Sequence, residues 1–436
     1  MSGTDGGRRR VVVTGTGVVS PLGDSAAALH QALAAGTRAR KPIELFDGGA
    51  IAGAARAGRD DGWEGGGPGS WQGGEIRPFD PQGYVGERNL RPLDRTSRLL
   101  VVAAQLALAD SAWSADARRA AEVGLVVGTT FCSVRTIAEF DRRALRLGPS
   151  HASPLDFANS VINAAAGQAA IWHGLRGVNS TVAGGEASGL LAIAHAAELV
   201  RAGRAQALLA GGAEELCFES FFGYARAGRL CGSRRPGEEE RPVPFDARRN
   251  GFSLAEGAAL LVLEDAGAAA ARGAAARAEV LGWGTAFAVG ADAAGLAAAV
   301  GRAVRLALAD AGTAPQEIGC LSASASGSRE VDRAEALGVA AALGERAATL
   351  PVTAIKAMLG EGLGVSGAWQ ALDLVATIAD GVLPGIAGLA EIDPGLPLPG
   401  AVAATRQLAA AARRRVLATA IGADGHCAAL VLGAPE

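Results

Sequence analysis

Few residues of this chain could carry nucleophilic, acid–base or metal chemistry, and most of them stand apart from one another. The five cysteines have no paired spacing, and the five histidines neither cluster nor fall at ligand distances from the cysteines. We therefore expect reduced thiols, no metal site and no bound cofactor. One carboxylate has a more informative place: Glu186 lies in VAGGEASG, where a predicted strand turns into a predicted helix. A carboxylate at a helix N-terminus is electrostatically favourable.

The elements that must position Glu186 alternate between strands and helices. Apolar runs such as VVVTGTGVVS, AEVGLVVGTT and QALLAGGAEE predict buried strands, and the Ala- and Leu-rich stretches between them predict helices. This alternation predicts an α/β fold whose parallel sheets are covered on both faces. The pattern restarts near residue 296, which indicates a duplicated architecture. We expect two halves, 1–266 and 267–436, with a Gly-rich surface insertion at about 62–74.

The composition excludes several classes of function. The net charge is -3, and the sequence has no basic stripe with interleaved aromatic residues, so nucleic acid is not an expected partner. Gly, Asp and Arg interrupt every apolar run before it is long enough to cross a bilayer. The basic start, from Arg8 to Arg10, runs straight into a predicted strand without an apolar signal region. We therefore expect a cytoplasmic protein with no membrane segment.

Four collinear segments resemble the β-ketoacyl synthase family. The most specific is VPFDARRNGFSLAEGAALLVLEDAG, which is similar to the family's mid-chain signature of a Pro-Phe-Asp turn before an acidic-Gly-Ala strand. It is joined by VVVTGTGVVSPLG, LDRTSRLLVVAAQLALADS and SPLDFANSVINAAAGQAAIWHGLRG, and their order and spacing match along nearly the whole chain. The resemblance implies a thiolase-like fold with αβαβα layers built from two duplicated halves. A generic α/β protein with Ala-rich helices is the alternative.

Members of this family join an acyl thioester to a malonyl unit by decarboxylative condensation. The reaction needs a thiolate at a helix N-terminus, two histidines that stabilise the enolate, and backbone N–H groups that hold the oxyanion. The resemblance places the nucleophile at Glu186. The sequence has no cysteine between Cys132 and Cys217, so a shifted alignment does not restore one. Attack by a carboxylate would give a labile mixed anhydride, which is a poor acyl carrier.

Both histidine positions of the family are also replaced. The first, in a His-Gly-Thr motif, aligns with Ser324 in ASASGSREVD. The second, five residues after a lysine, aligns with Glu361 in KAMLGEGLG, where Lys356 is kept and the glutamate expected on the next helix is Gln370. The resemblance therefore implies that no residue of this chain catalyses condensation. Glu186 and Glu361 are expected to face one small cavity, where they would share a proton or form a salt bridge to Lys356.

The loop whose phenylalanine gates the acyl pocket in the family reads IGADGHC here, with Ile421 and Ala423 in place of the aromatic residues. Altered chemistry on a retained scaffold resembles the chain-length factor of type II polyketide synthases. This implies a heterodimer with an active ketosynthase subunit, and an acyl carrier protein that presents chains on phosphopantetheine. In that group glutamine usually replaces the cysteine, so Glu186 is a departure, and the aromatic or polyene branch stays open.

The same resemblance implies how such a subunit acts on its partner. The strand NSTVAGG would pair with its counterpart across the dimer axis, and the helix after TTFCS would project toward the partner's acyl tunnel. Phe131, Val134 and Ile137 lie near positions whose bulk sets tunnel depth in chain-length factors. Ordinary helix packing is the alternative for these three residues. Asp141, one turn further on, is an unusual neighbour for an acyl chain.

Two other functions stay open at this point. Paired carboxylates beside a lysine can perform hydrolysis or dehydration, so Glu186 and Glu361 could be the acid and base of another enzyme on the same scaffold. The chain could also form a homodimer that binds acyl carrier proteins without a catalytic partner. Co-purification with a cysteine-bearing homologue separates these functions from that of a chain-length factor.

Overall fold

The buried apolar runs form strands in the computed structural model, which describes residues 8–47, 71–87, 89–232, 239–290 and 292–435. The strands in chain order are β1 Val11–Val19, β2 Lys41–Pro42, β3 Gln72–Gly73, β4 Gly124–Gly128, β5 Asn179–Val182, β6 Ala207–Glu214, β7 Gly257–Asp265, β8 Ala278–Phe287, β9 Leu321–Ser322, β10 Val352–Thr353, β11 Val382–Leu383, β12 Arg406–Gln407, β13 Arg415–Ile421 and β14 His426–Gly433. Ten of them form one sheet in the order β10-β9-β13-β14-β8-β1-β7-β6-β4-β5.

This sheet consists of two halves with the same internal plan. In each half the five strands follow the order third, second, fourth, fifth and first along the chain. In each half the two outer pairings are parallel and the next two are antiparallel. Two residue pairs, Val12 with Glu279 and Val13 with Ala278, join β1 to β8 and so connect the halves. The expected duplicated architecture is therefore confirmed.

The expectation of parallel sheets was wrong for the middle of this sheet. The connection between β13 and β14 consists of residues 422–425 alone. Four residues are too few for the crossover that parallel neighbours need, so these strands form an antiparallel hairpin. The division of the chain at residue 266 stays a prediction.

Helices cover the sheet on both faces. In chain order they are Ala26–Ala34, Gln82–Val85, Arg95–Asp110, Ala115–Ala120, Val134–Leu147, Pro154–Phe157, Ala164–His173, Ser188–Arg201, Phe218–Arg226, Ala266–Ala271, Ala293–Asp310, Arg329–Leu343, Lys356–Leu359 and Ser366–Asp380. The first of these shows why the boundaries fall where they do. Ser25 caps its N-terminus by accepting a hydrogen bond from Ala28 N, and Gly36 follows its end in a left-handed conformation.

The helices and the two half-sheets stack in five layers. Two helices pack on the outer face of each half: Arg95–Asp110 and Ala164–His173 on the first, and Ala293–Asp310 and Arg329–Leu343 on the second. Between the halves lie Ser188–Arg201 and Ser366–Asp380, whose apolar side chains form one buried cluster with strands of both. These two central helices complete the αβαβα architecture that the family resemblance implied.

The two central helices approach each other closely near their N-termini. A Cβ atom on Gly189 would lie 2.6 Å from the carbonyl oxygen of Gly364, and one on Gly367 would lie 2.8 Å from the backbone nitrogen of Leu190. Both separations are shorter than van der Waals contact, so the approach depends on glycine at these positions. The turns that precede the two helices are therefore held side by side in the interior.

A buried ion pair links two of the segments on which the resemblance rests. Arg95 donates two hydrogen bonds of 2.6 Å to Glu256, which is wholly buried. The same carboxylate accepts from Ile76 N at 2.9 Å and from Leu216 N at 3.2 Å. A buried charge with a full set of partners avoids the large cost of an unpaired one. The acidic residue of the acidic-Gly-Ala strand therefore has a structural function.

Residues 62–70 of the predicted Gly-rich insertion lie outside the described residues. The residues after them belong to the fold, because β3 pairs with β2 and the buried Trp71 ring meets the Phe221 ring edge-on at 5.3 Å. Within the described ranges, no helix combines the length and the apolar character that a bilayer crossing requires.

Candidate functional site

The turn between β5 and the helix Ser188–Arg201 directs Glu186 into the interior. Gly185 has a φ of +55°, in the left-handed region that glycine adopts without strain. The hydroxyl of Ser188 accepts a hydrogen bond from Gly184 N at 2.9 Å, which closes the turn. Only 5% of Glu186 is exposed. The carboxylate therefore lies at the N-terminus of a central helix, as the sequence pattern indicated.

Three groups from distant parts of the chain bind the Glu186 carboxylate. Tyr224 Oη donates a hydrogen bond to Oε1 at 3.0 Å, and Ala423 N donates to Oε2 at 2.9 Å. The guanidinium of Arg229 lies 3.5 Å from Oε1 and forms an ion pair. Burial, followed by the charges of Glu186 and Glu361, raises the pKa of Tyr224, which keeps its hydroxyl protonated as a donor. Both oxygens of Glu186 are thus engaged.

Glu361 is bound as completely by a different set of groups. Lys356 Nζ lies 2.7 Å from Oε2, and both side chains are 3% exposed. The hydroxyl of Ser366 donates to Oε1 at 2.7 Å, and Leu363 N donates to the same oxygen at 3.0 Å. The backbone of Glu361 is fixed as well, because its N–H donates to Ser253 O at 2.8 Å. This buried pair therefore has the additional hydrogen bonds that make such a pair tolerable.

Ser324 occupies the remaining position of this cluster. Its hydroxyl accepts a hydrogen bond from Lys356 Nζ at 3.3 Å and another from Ile421 N at 3.0 Å. Gln370 does not contact the lysine; its amide donates to Ser322 O at 2.9 Å and to Thr419 O at 3.2 Å. Lys356 is thus paired with Glu361, and Gln370 links β9 to β13.

The two carboxylates expected to share one cavity are bound separately. The salt bridge to Lys356 is made by Glu361, whereas Glu186 binds a phenol, a guanidinium and a backbone N–H. A general acid or base needs an oxygen within reach of a substrate proton. Each oxygen of both carboxylates already accepts a hydrogen bond from the protein, so both groups have structural partners in this site.

The cysteines do not supply a substitute nucleophile. All five are buried, and none of them forms a disulfide. Burial raises the pKa of four of them, Cys132, Cys217, Cys320 and Cys427, to about 12. A thiol with such a pKa holds almost no thiolate at neutral pH, and the thiolate is the nucleophilic form. In the described ranges, no three His, Cys, Asp or Glu side chains are grouped so that they could hold a metal ion.

The proposed tunnel residues lie at the start of a helix that faces outward. Phe131 precedes the helix Val134–Leu147, and 39% of it is exposed. Val134 and Ile137 are half-buried, and the helix contains no fully buried residue. The Phe131 ring meets the ring of Tyr224 edge-on at 6.2 Å between centroids. Tyr224 therefore contacts both Glu186 and the start of this outward-facing segment.

A surface cavity of about 870 Å³ opens beside the Glu186 pocket. Two of the three groups that bind Glu186, Arg229 and Ala423, also line this cavity, together with polar residues such as Asn250 and Ser328. The Glu186 carboxylate therefore contacts two of the residues that line this cavity.

Sequence reasoning missed Tyr224 and Arg229. They lie 38 and 43 positions after Glu186, on and just beyond the helix Phe218–Arg226, and no local motif joins them to it. The one signal available is scarcity, because the whole chain contains two tyrosines. Tyr224 is one of these two tyrosines. A buried tyrosine hydroxyl usually has a hydrogen-bond partner, so its rarity was a signal that it binds a buried polar group.

Comparisons with known proteins identify the family of this chain. Residues 8–269 match the family described as "Beta-ketoacyl synthase, N-terminal domain", and residues 277–390 match "Beta-ketoacyl synthase, C-terminal domain". A 3-oxoacyl-[acyl-carrier-protein] synthase 2 of Coxiella burnetii is 30% identical over 397 residues, which cover 90% of this chain and 91% of that protein. A Streptomyces coelicolor protein described as a polyketide β-ketoacyl synthase 2 is 33% identical over 436 residues, covering 99% and 96%.

The same architecture is found in solved structures. The structure of the ishigamide ketosynthase/chain length factor has a TM-score of 0.86 with this chain and is 28% identical to it. The match covers 99% of this chain and 100% of that one. Together with the layered fold and the match over most of the sequence, these findings show that the chain belongs to the β-ketoacyl synthase family.

Proposed function

We propose that this chain is a non-condensing ketosynthase-like subunit, a chain-length factor, which pairs with an active ketosynthase in type II polyketide biosynthesis. The observation that carries the proposal is the state of Glu186. The position of the family's nucleophile holds a carboxylate with both oxygens bound by the protein. Ser324 and Glu361 stand at the two positions of the family's histidines.

The chemistry of these residues argues against condensation by this chain alone. Acyl transfer needs a thiolate, and the buried thiols with raised pKa values do not provide one. Decarboxylation needs donors that stabilise an enolate. At the second histidine position, Glu361 is an acceptor that already holds Lys356. At the first histidine position, the hydroxyl of Ser324 accepts two hydrogen bonds and has only its own O–H as a donor in place of an imidazole.

An exposed apolar surface supports pairing with a ketosynthase subunit. Between residues 131 and 171 the chain exposes large apolar side chains, with Leu145 at 85% and Ile171 at 79%. A concentration of exposed apolar side chains in one part of a chain is typical of interaction sites. β5 is the last strand of the sheet, so one of its edges has no strand beside it in the described chain. That edge suits antiparallel pairing with the corresponding strand of a homologous subunit.

In this arrangement the partner carries the growing chain and this subunit closes the end of its tunnel. Phe131, Val134 and Ile137 belong to the outward-facing segment and offer the side chains that would meet an acyl chain. A bulky residue there leaves less room, so elongation stops earlier. The acyl carrier protein, which delivers extender units on phosphopantetheine, would be the third component.

The decisive experiment is co-expression of the tagged chain with a homologous ketosynthase that retains the family's cysteine and both of its histidines. We expect the two subunits to co-purify in equal amounts. With carrier protein and labelled malonyl units, the pair should make polyketide chains. Of the two subunits, only the ketosynthase should become acylated, at its cysteine.

Controls separate this function from the two alternatives. A ketosynthase variant with its nucleophilic cysteine changed to alanine should form the complex and make no product. A chain that purifies as a stable homodimer and ignores the ketosynthase would favour a carrier-binding protein. Hydrolysis or dehydration of acyl thioesters by the chain alone, lost on changing Glu186 or Glu361 to glutamine, would favour an enzyme of another class.

A further inference from the structure

A single buried carboxylate, Glu214, holds the segment that carries Phe131. Glu214 is the last residue of β6 and is 1% exposed. Its Oε2 accepts a hydrogen bond from Thr130 N at 2.6 Å, and its Oε1 accepts one from Phe131 N at 3.0 Å. The Thr129 hydroxyl also donates to Oε2, at 3.2 Å. One side chain thus fixes three successive residues just before the helix Val134–Leu147.

The same contacts tie this segment to the degenerate site. Gly364 N, three residues after Glu361, donates to Glu214 Oε2 at 3.2 Å. The Thr130 hydroxyl donates to Gly185 O at 2.9 Å, in the turn before the first central helix. The segment is therefore clamped between the turns that precede the two central helices.

The donors around Glu214 suit two acceptor oxygens better than the amide of a glutamine. Glu214 forms no ion pair with a Lys or Arg among the described residues, and burial raises its pKa to about 7 in spite of the hydrogen bonds it accepts. A carboxylate accepts on both oxygens, whereas a glutamine has one acceptor oxygen and one NH₂ donor. Glutamine at 214 would turn its NH₂ toward either Phe131 N or Thr130 N, which are themselves donors.

We propose that Glu214 is a positioning residue that fixes Phe131 beside Tyr224 and thereby sets where the partner's acyl tunnel ends. Phe131 N donates to Glu214, the Phe131 ring meets the Tyr224 ring edge-on, and 39% of the residue is exposed. The positioning half of this proposal concerns the chain itself. The tunnel half rests on the proposed chain-length function.

Amide hydrogen exchange on the purified chain tests the positioning half directly. In Glu214→Gln, the NH₂ replaces the acceptor oxygen of either Thr130 N or Phe131 N, so we expect at least one of these amides to exchange at least tenfold faster at a pH above 7, where the wild-type Glu214 is mostly ionised. Peptides of the central helix Ser188–Arg201 should keep their wild-type protection. Unchanged exchange at Thr130 and Phe131 would overturn the proposal.

Glu264→Gln is the matched control. Glu264 is also a wholly buried glutamate in the same half-sheet, but it pairs with Arg272 at 2.8 Å and accepts from Trp113 Nε1 at 3.2 Å. This variant should lose stability without faster exchange at Thr130 and Phe131. Faster exchange at those two amides in both variants would show a general loosening and would overturn a specific role for Glu214.

Product analysis of the reconstituted complex tests the tunnel half through a double-variant comparison. Phe131→Ala and Glu214→Gln should each shift the products toward longer chains, by one or more extender units. Because Glu214 acts through Phe131, the double variant should give the same distribution as Phe131→Ala alone. Additive shifts in the double variant would show that Glu214 does not act through Phe131 and would overturn the proposal that it does.

The possible failures are distinguishable. Wild-type products from Phe131→Ala would overturn the chain-length function of this segment, whatever the exchange data show for Glu214. A shift with Phe131→Ala but none with Glu214→Gln would leave the chain-length function intact and overturn the tunnel half of this proposal alone.

Discussion

Replacing Glu186 by glutamine and, separately, by alanine distinguishes the charge of this side chain from its hydrogen bonds. A glutamine can accept from Ala423 N through its oxygen and donate to Tyr224 Oη, because a tyrosine hydroxyl both donates and accepts. The glutamine variant therefore loses mainly the attraction to Arg229. The alanine variant loses every contact and leaves a buried N–H and a buried hydroxyl without their acceptor.

The two losses differ in size. The side chain of Arg229 is 24% exposed and lies 3.5 Å from Glu186, and ion pairs that are open to solvent contribute about 1 kcal/mol or less. The neutral glutamine also makes weaker hydrogen bonds than the carboxylate, so we expect Glu186→Gln to lower the free energy of unfolding by about 1–2 kcal/mol. Hydrogen bonds to a charged group contribute about 1.5–3 kcal/mol each. Two such bonds give an expected loss of about 3–6 kcal/mol for Glu186→Ala.

Urea unfolding of the purified variants, followed by fluorescence and circular dichroism, measures both losses. Equal losses for glutamine and alanine, or a larger loss for glutamine, would refute the assignment of hydrogen bonds as the dominant contribution. The same variants test function in the complex with the ketosynthase. Glu186→Gln should preserve chain elongation, and a large loss at unchanged stability would mean that the carboxylate has a chemical role.

Three further outcomes follow from the buried charges and thiols. Lys356→Met should lower the free energy of unfolding by about 3–5 kcal/mol in a urea titration, since it leaves Glu361 buried without its cation, and adding Glu361→Leu should recover part of the loss. Burial lowers the pKa of His30, but the hydrogen bond and charge of Asp373 outweigh it, so the pKa is raised above 6.5. The stabilisation by this pair should therefore be complete below pH 6.5 and lost as the pH rises through the raised value, and His30→Gln should remove that part of the pH dependence of the urea midpoint. The native chain at pH 7.5 should react with a thiol reagent at least a hundredfold more slowly than the unfolded chain, which should release five thiols; a single fast thiol in the native protein would contradict the burial of all five.

Local patterns were sufficient to predict most elements of the fold. The β-branched run in VVVTGTGVVS predicted β1. Strand direction was harder, because a buried strand shows the same apolar run in parallel and antiparallel neighbours. The short link between β13 and β14 was the signal for an antiparallel pair, and it was available in the sequence.

The degenerate site was predictable in outline and not in its contacts. Glu186, Ser324 and Glu361 could be placed through the family resemblance, since each stands in a recognisable motif. The salt bridge between Lys356 and Glu361 could be expected from the sequence, because the two residues lie five positions apart. Tyr224 and Arg229 were not, because hydrogen-bond partners brought together by tertiary packing leave no periodicity or spacing in the sequence.

The contacts of Glu186 show whether the donors around position 186 are left without partners or are bound by the carboxylate. Loss of a nucleophile alone would leave the surrounding donors facing an empty or water-filled space. Here the carboxylate takes up a phenol, a guanidinium and the N–H of Ala423 at the position of the family's gate loop. A glutamate at position 186 makes these three contacts only because the phenol, the guanidinium and the backbone N–H lie within reach of its side chain. Glu186 therefore joins the turn after β5 to the loop after β13, and under the proposed function this contact is a structural junction and not a catalytic one.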